Sequence, residues 1–140
     1  TAHPVAAAAA MANLDIIEGE GLVDNAREVG AHFQRRMRAA FAEHPLVGHV
    51  RGEGLIMGIE LVADKASKEA FDPRHKVAAR VVQSCLAEGL ITRNLPSGEV
   101  IAFSPPLTVT VDDVDLIERR FASGLDKAAA SLRADGIWQG

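Results

Sequence analysis

Val47-Gly48-His49-Val50-Arg51-Gly52-Glu53-Gly54-Leu55-Ile56-Met57-Gly58-Ile59-Glu60-Leu61-Val62 is the stretch on which the fold turns. Its apolar residues fall on both phases of a two-residue period, a pattern that predicts a strand covered on two faces. Gly52-Glu53-Gly54 is not a dinucleotide loop. The third glycine of that fingerprint would stand at position 57, which is Met57, and no Lys-Ser/Thr pair follows. The glycines are instead expected to let the chain bend or bulge into the strand. Glu60 could be a catalytic carboxylate, but a strand residue near an edge, solvated or paired, is the reading favoured.

Upstream, Pro4 suits the first position of a helix, where its missing N–H has no partner, and the alanine run that follows is strongly helix-forming. A helix is predicted over residues 4–18. The alanines at 6–10 serve propensity or offer a small-residue surface for close packing; the sequence leaves both open. Gly19 and Gly21 interrupt, and a second helix begins near Leu22 with Leu22, Ala26, Val29, Phe33, Met37 and Ala40 on its apolar face. Arg27, Glu28, Gln34, Arg35 and Arg38 fall opposite, as a solvated face whose cations suit a helix C-terminus. Pro45 is expected to end this helix.

Downstream, Asp72-Pro73 reads as a helix start, with Val77, Ala78, Val81, Cys85 and Leu86 on its buried side and Gly89 as its C-terminal cap. Strands at residues 90–93 and 100–104 flank Leu95-Pro96-Ser97-Gly98, which is hairpin-turn chemistry, so the two are expected to pair. After Pro105-Pro106, Thr110 caps a last helix with Asp113 in its first turn, and Val114, Ile117, Phe121, Leu125, Ala128 and Leu132 face inward. Two helices, strand, helix, two strands and helix, without repeat or linker, predict an α+β fold: helices packed on a small, mostly antiparallel sheet.

The chain has 140 residues, 48% of them hydrophobic and 24% charged, which suits one globular domain of about 100 to 150 residues with a real core. Its longest apolar run, residues 4–12, is far short of the ~20 residues that cross a bilayer. Fifteen basic against nineteen acidic residues give a net charge of −4, which disfavours nucleic acid, and five Phe, one Trp and no Tyr leave few surfaces for stacking bases. Neither a membrane nor a nucleic acid is expected as a partner. Cys85, the single cysteine, fits a reducing, cytoplasmic setting and reads as a small core residue. The start at Thr1, with no initiator Met and no leader, is what a piece of a longer polypeptide would show.

Little here can do chemistry alone. The histidines at 3, 32, 44, 49 and 75 never adopt the i, i+4 spacing of a zincin, and no cysteine pair accompanies them. Ser104 precedes two prolines and is outside any Gly-x-Ser-x-Gly elbow. Lys65, Lys68, Lys76 and Lys127 sit in polar surroundings, without the apolar pocket that activates an amine. Arg93 differs, because it ends the apolar run 89–92 where a strand leaves the core. Its guanidinium could grip a carboxylate through two parallel hydrogen bonds; position alone fits a solvated strand-end arginine equally naturally.

Four ordered motifs then carry a resemblance. They are Thr1-Ala2-His3-Pro4-Val5 with Ala9, Ala12, Asn13, Leu14 and Asp15; residues 50–55 through Gly58-Ile59-Glu60-Leu61; Gly89-Leu90-Ile91 with Arg93; and Ser104-Pro105-Pro106-Leu107. Together they resemble the C-terminal portion of class III aminotransferases, pyridoxal-phosphate (PLP) enzymes of fold type I, within the omega-amino acid or amine:pyruvate group. The resemblance implies that residues 1–20 are a helix linking from a large domain outside this sequence and that residues 21–140 are the C-terminal small domain. It implies a homodimer that moves an amino group from an amine or omega-amino acid to a keto acid such as pyruvate. The Schiff-base lysine, the aspartate at the pyridine nitrogen and the aromatic ring cover would all lie in the large domain, so no catalytic, cofactor-binding or metal-binding residue is assigned here. Thr1 matches the Ser/Thr place of the family's Gly-x-Thr-Tyr-Ser/Thr-Gly/Ala-His-Pro pattern, so the phosphate-contacting threonine would precede it. Arg93 matches the mobile arginine that binds substrate carboxylates and swings away for large uncharged groups. Two other classes stay open: a free-standing module that binds small carboxylates through Arg93, and a dimerisation domain without catalysis.

Overall fold

The computed structural model describes residues 3–140. The opening Thr1-Ala2 of the first motif, with the reading placed on Thr1, lies outside the described residues. Helix α1 (Pro4–Gly19) starts on its proline, and a left-handed Gly21 turns the chain into α2 (Leu22–Phe41). A hairpin follows, β1 (Val47–Glu53) and β2 (Ile56–Leu61), then a single 3₁₀ turn (Pro73–His75), α3 (Val77–Ala87), β3 (Arg93–Asn94), β4 (Val100–Phe103) and α4 (Val111–Ala134). The four strands run in the order β1-β2-β4-β3, every neighbour antiparallel. The α+β architecture expected from the sequence is the one observed.

The decisive stretch is a hairpin and not one doubly covered strand. The chain reverses at Gly54-Leu55, where Gly54 has a φ of +53°, a value that suits a two-residue hairpin loop and costs glycine nothing. An irregularity between Val47 and His49 shifts the phase of β1. The turn and the bulge together put apolar residues on both phases of the sequence while only one face of the sheet is covered. Val47, Val50, Met57, Ile59 and Leu61 point to the core, whereas Ile56 is 70% exposed on the other side.

Helices α2, α3 and α4 cover that one face. Four phenylalanines join the layers edge to face: Phe33 with Phe103 at 6.2 Å, Phe103 with Phe121 at 5.1 Å, and Phe121 with Phe41 at 4.9 Å between ring centres. The buried side of α2 ends at Phe41, and the expected Ala40 is exposed, because the step of four from Met37 keeps the stripe over the sheet. Gln34, expected on the solvated face, is buried. Its amide nitrogen donates to the carbonyls of Gly54 at 2.9 Å and Ile56 at 3.1 Å, so it holds the hairpin turn to the helix. Gly30 makes the approach possible, since a Cβ there would lie 2.7 Å from the Gly54 backbone.

Asp72-Pro73 opens the 3₁₀ turn and not α3 itself. Lys76, left-handed at φ +49°, separates the two, and the Glu99 carboxylate then accepts from the Ala78 N–H, capping α3 from the sheet. On α3 the buried residues are Val77, Ala78, Val81 and Cys85, while Leu86 turns outward, half exposed. The backbone of α4 passes so close to α3 that a Cβ on Gly124 would lie 2.7 Å from the Cys85 sulfur. Burial pushes the Cys85 thiol up to about 11, which leaves it an inert core group. The expected reciprocal cap is present at α4: the Thr110 hydroxyl accepts from the Asp113 N–H at 3.2 Å and the Asp113 carboxylate accepts from the Thr110 N–H at 3.0 Å. Trp138 folds back, its indole N–H donating to the Ala63 carbonyl at 3.0 Å and Arg133 lying over its ring. Helix α1 buries no side chain and leaves Val5, Met11, Leu14 and Ile16 at least half exposed.

Two outcomes follow from this packing. Gln34→Leu removes the only side-chain donor that reaches the Gly54 and Ile56 carbonyls among the described residues; it should lower unfolding free energy by about 1 to 3 kcal/mol in urea titrations. Equal stability of the two chains would refute the anchoring role.

The second outcome concerns His44, whose burial lowers its pKa against the opposing pull of Asp126. Its Nδ1 accepts from the Leu46 N–H at 3.1 Å, which requires that nitrogen to be unprotonated. Because the unfolded chain takes up this proton more readily than the folded one, stability rises with pH below the unfolded value of about 6.5 and is lost as the solution is acidified. The urea midpoint should fall between about pH 8 and pH 5, and His44→Asn, which keeps an acceptor but does not titrate, should flatten that slope.

Candidate functional site

The uncovered face of the sheet holds the site. On β4, Ile101 and Phe103 point into the core, so Val100 and Ala102 project from the opposite face. Arg93 pairs with Ala102, Ala102 with Gly58, and Gly58 with Arg51. These four residues therefore stand abreast on the open face, with an arginine at each end and the two smallest side-chain types between. A groove of about 630 Å³ runs along them, with Val100 and Leu95 contributing to its walls. Arg93 also borders a second, more apolar groove of about 440 Å³, lined by Leu90, Ile91, Pro105 and Ile117.

Strand β3 is shorter and later than expected, Arg93–Asn94 against the predicted 90–93. Leu90 is buried and Ile91 is 87% exposed, so the chain climbs out of the core before it pairs. Thr92 makes the junction, its hydroxyl donating to the Ala102 carbonyl at 2.8 Å. At the other end the Leu95 N–H donates to the Val100 carbonyl at 2.9 Å. Backbone and neighbours thus hold the Arg93 Cα firmly, while its side chain is exposed and makes no hydrogen bond or ion pair among the described residues. A planar cation held at its root and free at its head is suited to take a carboxylate from solution.

Arg51 and Glu60 were not singled out as a pair by the sequence. The hairpin brings them together, the Arg51 guanidinium donating to the Glu60 carboxylate at the rim of the open face. This also settles Glu60 as a paired, half-exposed strand residue. Recognising the turn at Gly54-Leu55 would have revealed the pairing, because residues 51, 58 and 60 then fall on one face.

None of the four lysines fits the position of a lysine that links to PLP. Lys65 donates to the carbonyls of Ala42 and His44, and Lys127 pairs with Glu88. Lys68 and Lys76 are exposed at the mouth of a groove of about 460 Å³ between the 68–76 segment and the turn after β3. Among the described residues no cluster of His, Cys, Asp and Glu has the arrangement of a metal site, and no helix is long and apolar enough to cross a membrane.

The fold and the motifs coincide with those of known transaminases. Residues 1–125 match the family described as aminotransferase class-III. The chain is 45% identical to a diaminobutyrate–2-oxoglutarate transaminase of Halomonas elongata over 98% of its own length and 29% of that protein. It is 33% identical to a putrescine–pyruvate aminotransferase of Pseudomonas aeruginosa, covering 94% of this chain and 28% of the relative. The structure of an amine transaminase from an uncultivated Pseudomonas species in its PLP-bound form superposes with a TM-score of 0.82 at 36% identity, over 90% of this chain and 28% of that one. The chain belongs to the class III, PLP-dependent aminotransferases, and it spans about three tenths of the length of the relatives it matches.

The environment of the lysines sets an expected outcome. Incubation of this chain with PLP, borohydride reduction and peptide mapping should show scattered, substoichiometric labelling. One stoichiometric adduct on a single lysine would mean that the segment carries a cofactor-linking group after all.

Proposed function

We propose that this chain is the C-terminal small domain of a transaminase that passes an amino group from an amine or omega-amino acid to a keto acid such as pyruvate, and that Arg93 is the residue that grips the substrate carboxylate. The observation that carries this reading is the placement of Arg93. In a chain of this family, an unpartnered guanidinium stands on a fixed edge strand beside an open groove. Residues 1–20 would form the link from the large domain, and the exposed apolar side chains of α1 suit a helix that other parts of a homodimeric enzyme would cover. On this reading the fragment alone is inactive.

PLP, held by the complete enzyme, supplies the electron sink for amino transfer. What these residues add is orientation. Two parallel hydrogen bonds from Arg93 fix one end of an α-keto acid, so that its carbonyl carbon is presented in a single attitude. Thr92 and the β4 backbone keep the arginine's root from moving, so the energy of the carboxylate contact goes into aligning the substrate. Relatives differ in their acceptors, 2-oxoglutarate in one and pyruvate in another, and both acceptors present a carboxylate beside the carbonyl.

In the complete enzyme, Arg93→Ala should reduce the specificity constant for pyruvate by roughly ten- to more than hundredfold, the equivalent of about 1.5 to 3 kcal/mol for a charge-assisted pair. A plain aromatic amine should lose far less. Arg93→Lys should restore part of the keto-acid activity because an ammonium lacks the fork. Each half-reaction can be followed separately in single turnovers by the absorbance of the cofactor. Equal losses for both substrates would assign Arg93 to structure. Tight carboxylate binding by this chain in an enzyme that shows no transamination would favour a free-standing binding module.

A further inference from the structure

An enzyme that takes amino groups from amines and gives them to keto acids must seat both at one cofactor. The place where Arg93 holds a carboxylate is then occupied in the other half-reaction by a group that has no carboxylate. A guanidinium left against such a group would be desolvated without a partner, so it must leave. The following rests on the reading of Arg93 given above and concerns where its side chain goes.

The geometry points to the trough floored by Ala102 and Gly58 as the berth that receives the Arg93 guanidinium when the bound amine lacks a carboxylate, which makes these two small residues determinants of the range of amines accepted. Ala102 is the direct cross-strand partner of Arg93, and Gly58 is the next residue in the same row. Two strand spacings place Gly58 about 10 Å from the Arg93 Cα, a span that an extended arginine covers with its guanidinium flat above the sheet. The floor has almost no side chain. A Cβ on Gly58 would already lie 3.4 Å from a Val100 methyl and 4.0 Å from the Arg51 stem, so any larger group would fill the trough.

Charge allows the same movement. A second guanidinium, Arg51, stands at the far end of the row and would repel an arriving cation. Glu60 cancels that charge by pairing with Arg51, and Glu60 itself lies on the open face one step along β2 from Gly58. A planar, weakly hydrated guanidinium can lie flat on small apolar side chains where a lysine ammonium would remain stripped of water. The 630 Å³ groove is continuous from Arg93 to Arg51, so no part of the sheet has to shift.

Filling the berth tests the inference. In the complete enzyme, Ala102→Val should lower the ratio of the specificity constant for a bulky aromatic amine to that for pyruvate on the order of tenfold. Gly58→Ala, which needs no unusual backbone angle, should lower it less, in proportion to the smaller group. Cofactor content and the pyruvate half-reaction report whether each variant is folded, and Gly58→Ala carries the test if the valine variant is not. The deciding comparison is made in the Arg93→Ala background, where no guanidinium needs a berth and Ala102→Val should leave the ratio unmoved. An undiminished effect in that background would show that the valine obstructs the amine itself and would overturn the berth. So would an unchanged ratio in the enzyme that retains Arg93. Arg93→Ala alone separates the two levels: selective loss of keto-acid activity with an indifferent Ala102→Val removes the berth only, whereas no selective loss removes the reading of Arg93 with it.

Discussion

The contact between α2 and the tip of the β1–β2 hairpin governs the rest of this structure. Gly30 has no side chain, so the Gly54 backbone can rest on the helix, and one turn further along Gln34 supplies the two hydrogen bonds that the turn carbonyls need. A larger residue at position 30 would lift the hairpin off the helix, and an apolar one at 34 would leave two carbonyls without donors. With the tip fixed, the register of β1 and β2 places Met57, Ile59 and Leu61 against the helices, and β4 extends the same core face through Ile101 and Phe103. Everything that points the other way is available for chemistry. A one-residue slip would exchange the two faces and bury the arginines, and for that reason an anchor at the turn matters more than its two hydrogen bonds suggest.

The open face combines a rigid backbone with a free side chain. Strand β3 contributes only two residues, yet it is tied on both flanks, by the Thr92 hydroxyl to β4 and by the Leu95 N–H to Val100. The turn beyond it is tied as well. Glu99 receives the Leu61 N–H at its carbonyl and the first free N–H of α3 at its carboxylate, so the turn, the sheet and α3 meet at one residue. Loss of orientation in a bound substrate would come from motion of the backbone, and the backbone is where the ties are placed. Motion of the arginine head is left unrestricted, as a site serving two kinds of substrate requires.

The sequence disclosed features that depend on neighbours along the chain and hid those that depend on neighbours across space. Pro4 at a helix start, the Thr110–Asp113 cap and the inward stripe of α4 are local, and each stands where its residues predict. The hairpin was missed because Gly54-Leu55 lacks the Asn-Gly or Asp-Gly signal and because the bulge near Gly48 shifts the phase, so two short alternating strands imitate one continuous apolar one. Gln34 reads as polar and therefore exposed; only the proximity of two turn carbonyls makes burial favourable. The start of α3 was displaced because Lys76 takes a left-handed conformation that nothing in its residue type announces. Arg93 was found through a resemblance, and the row it completes with Ala102, Gly58 and Arg51 could not be seen before the register was known.

Charge gives an independent reason to regard Arg93 as different from the chain's other arginines. With a net charge of −4, carboxylates are plentiful, and the fold uses them. Arg27 meets Asp24, Arg36 meets Asp115 and Glu118, Arg51 meets Glu60, Arg74 meets Asp72 and Arg80 meets Asp135. Arg38 and Arg120 donate to the carbonyls of Gly52 and Gly89, and Arg133 covers Trp138. Arg35, Arg93 and Arg119 remain without such partners among the described residues. The other two lie on helix surfaces, where water serves a guanidinium well, whereas Arg93 alone of the three borders the grooves of the open face. An acidic chain that pairs its arginines this thoroughly leaves unpaired, at that groove, the one whose natural partner is a carboxylate brought by the substrate.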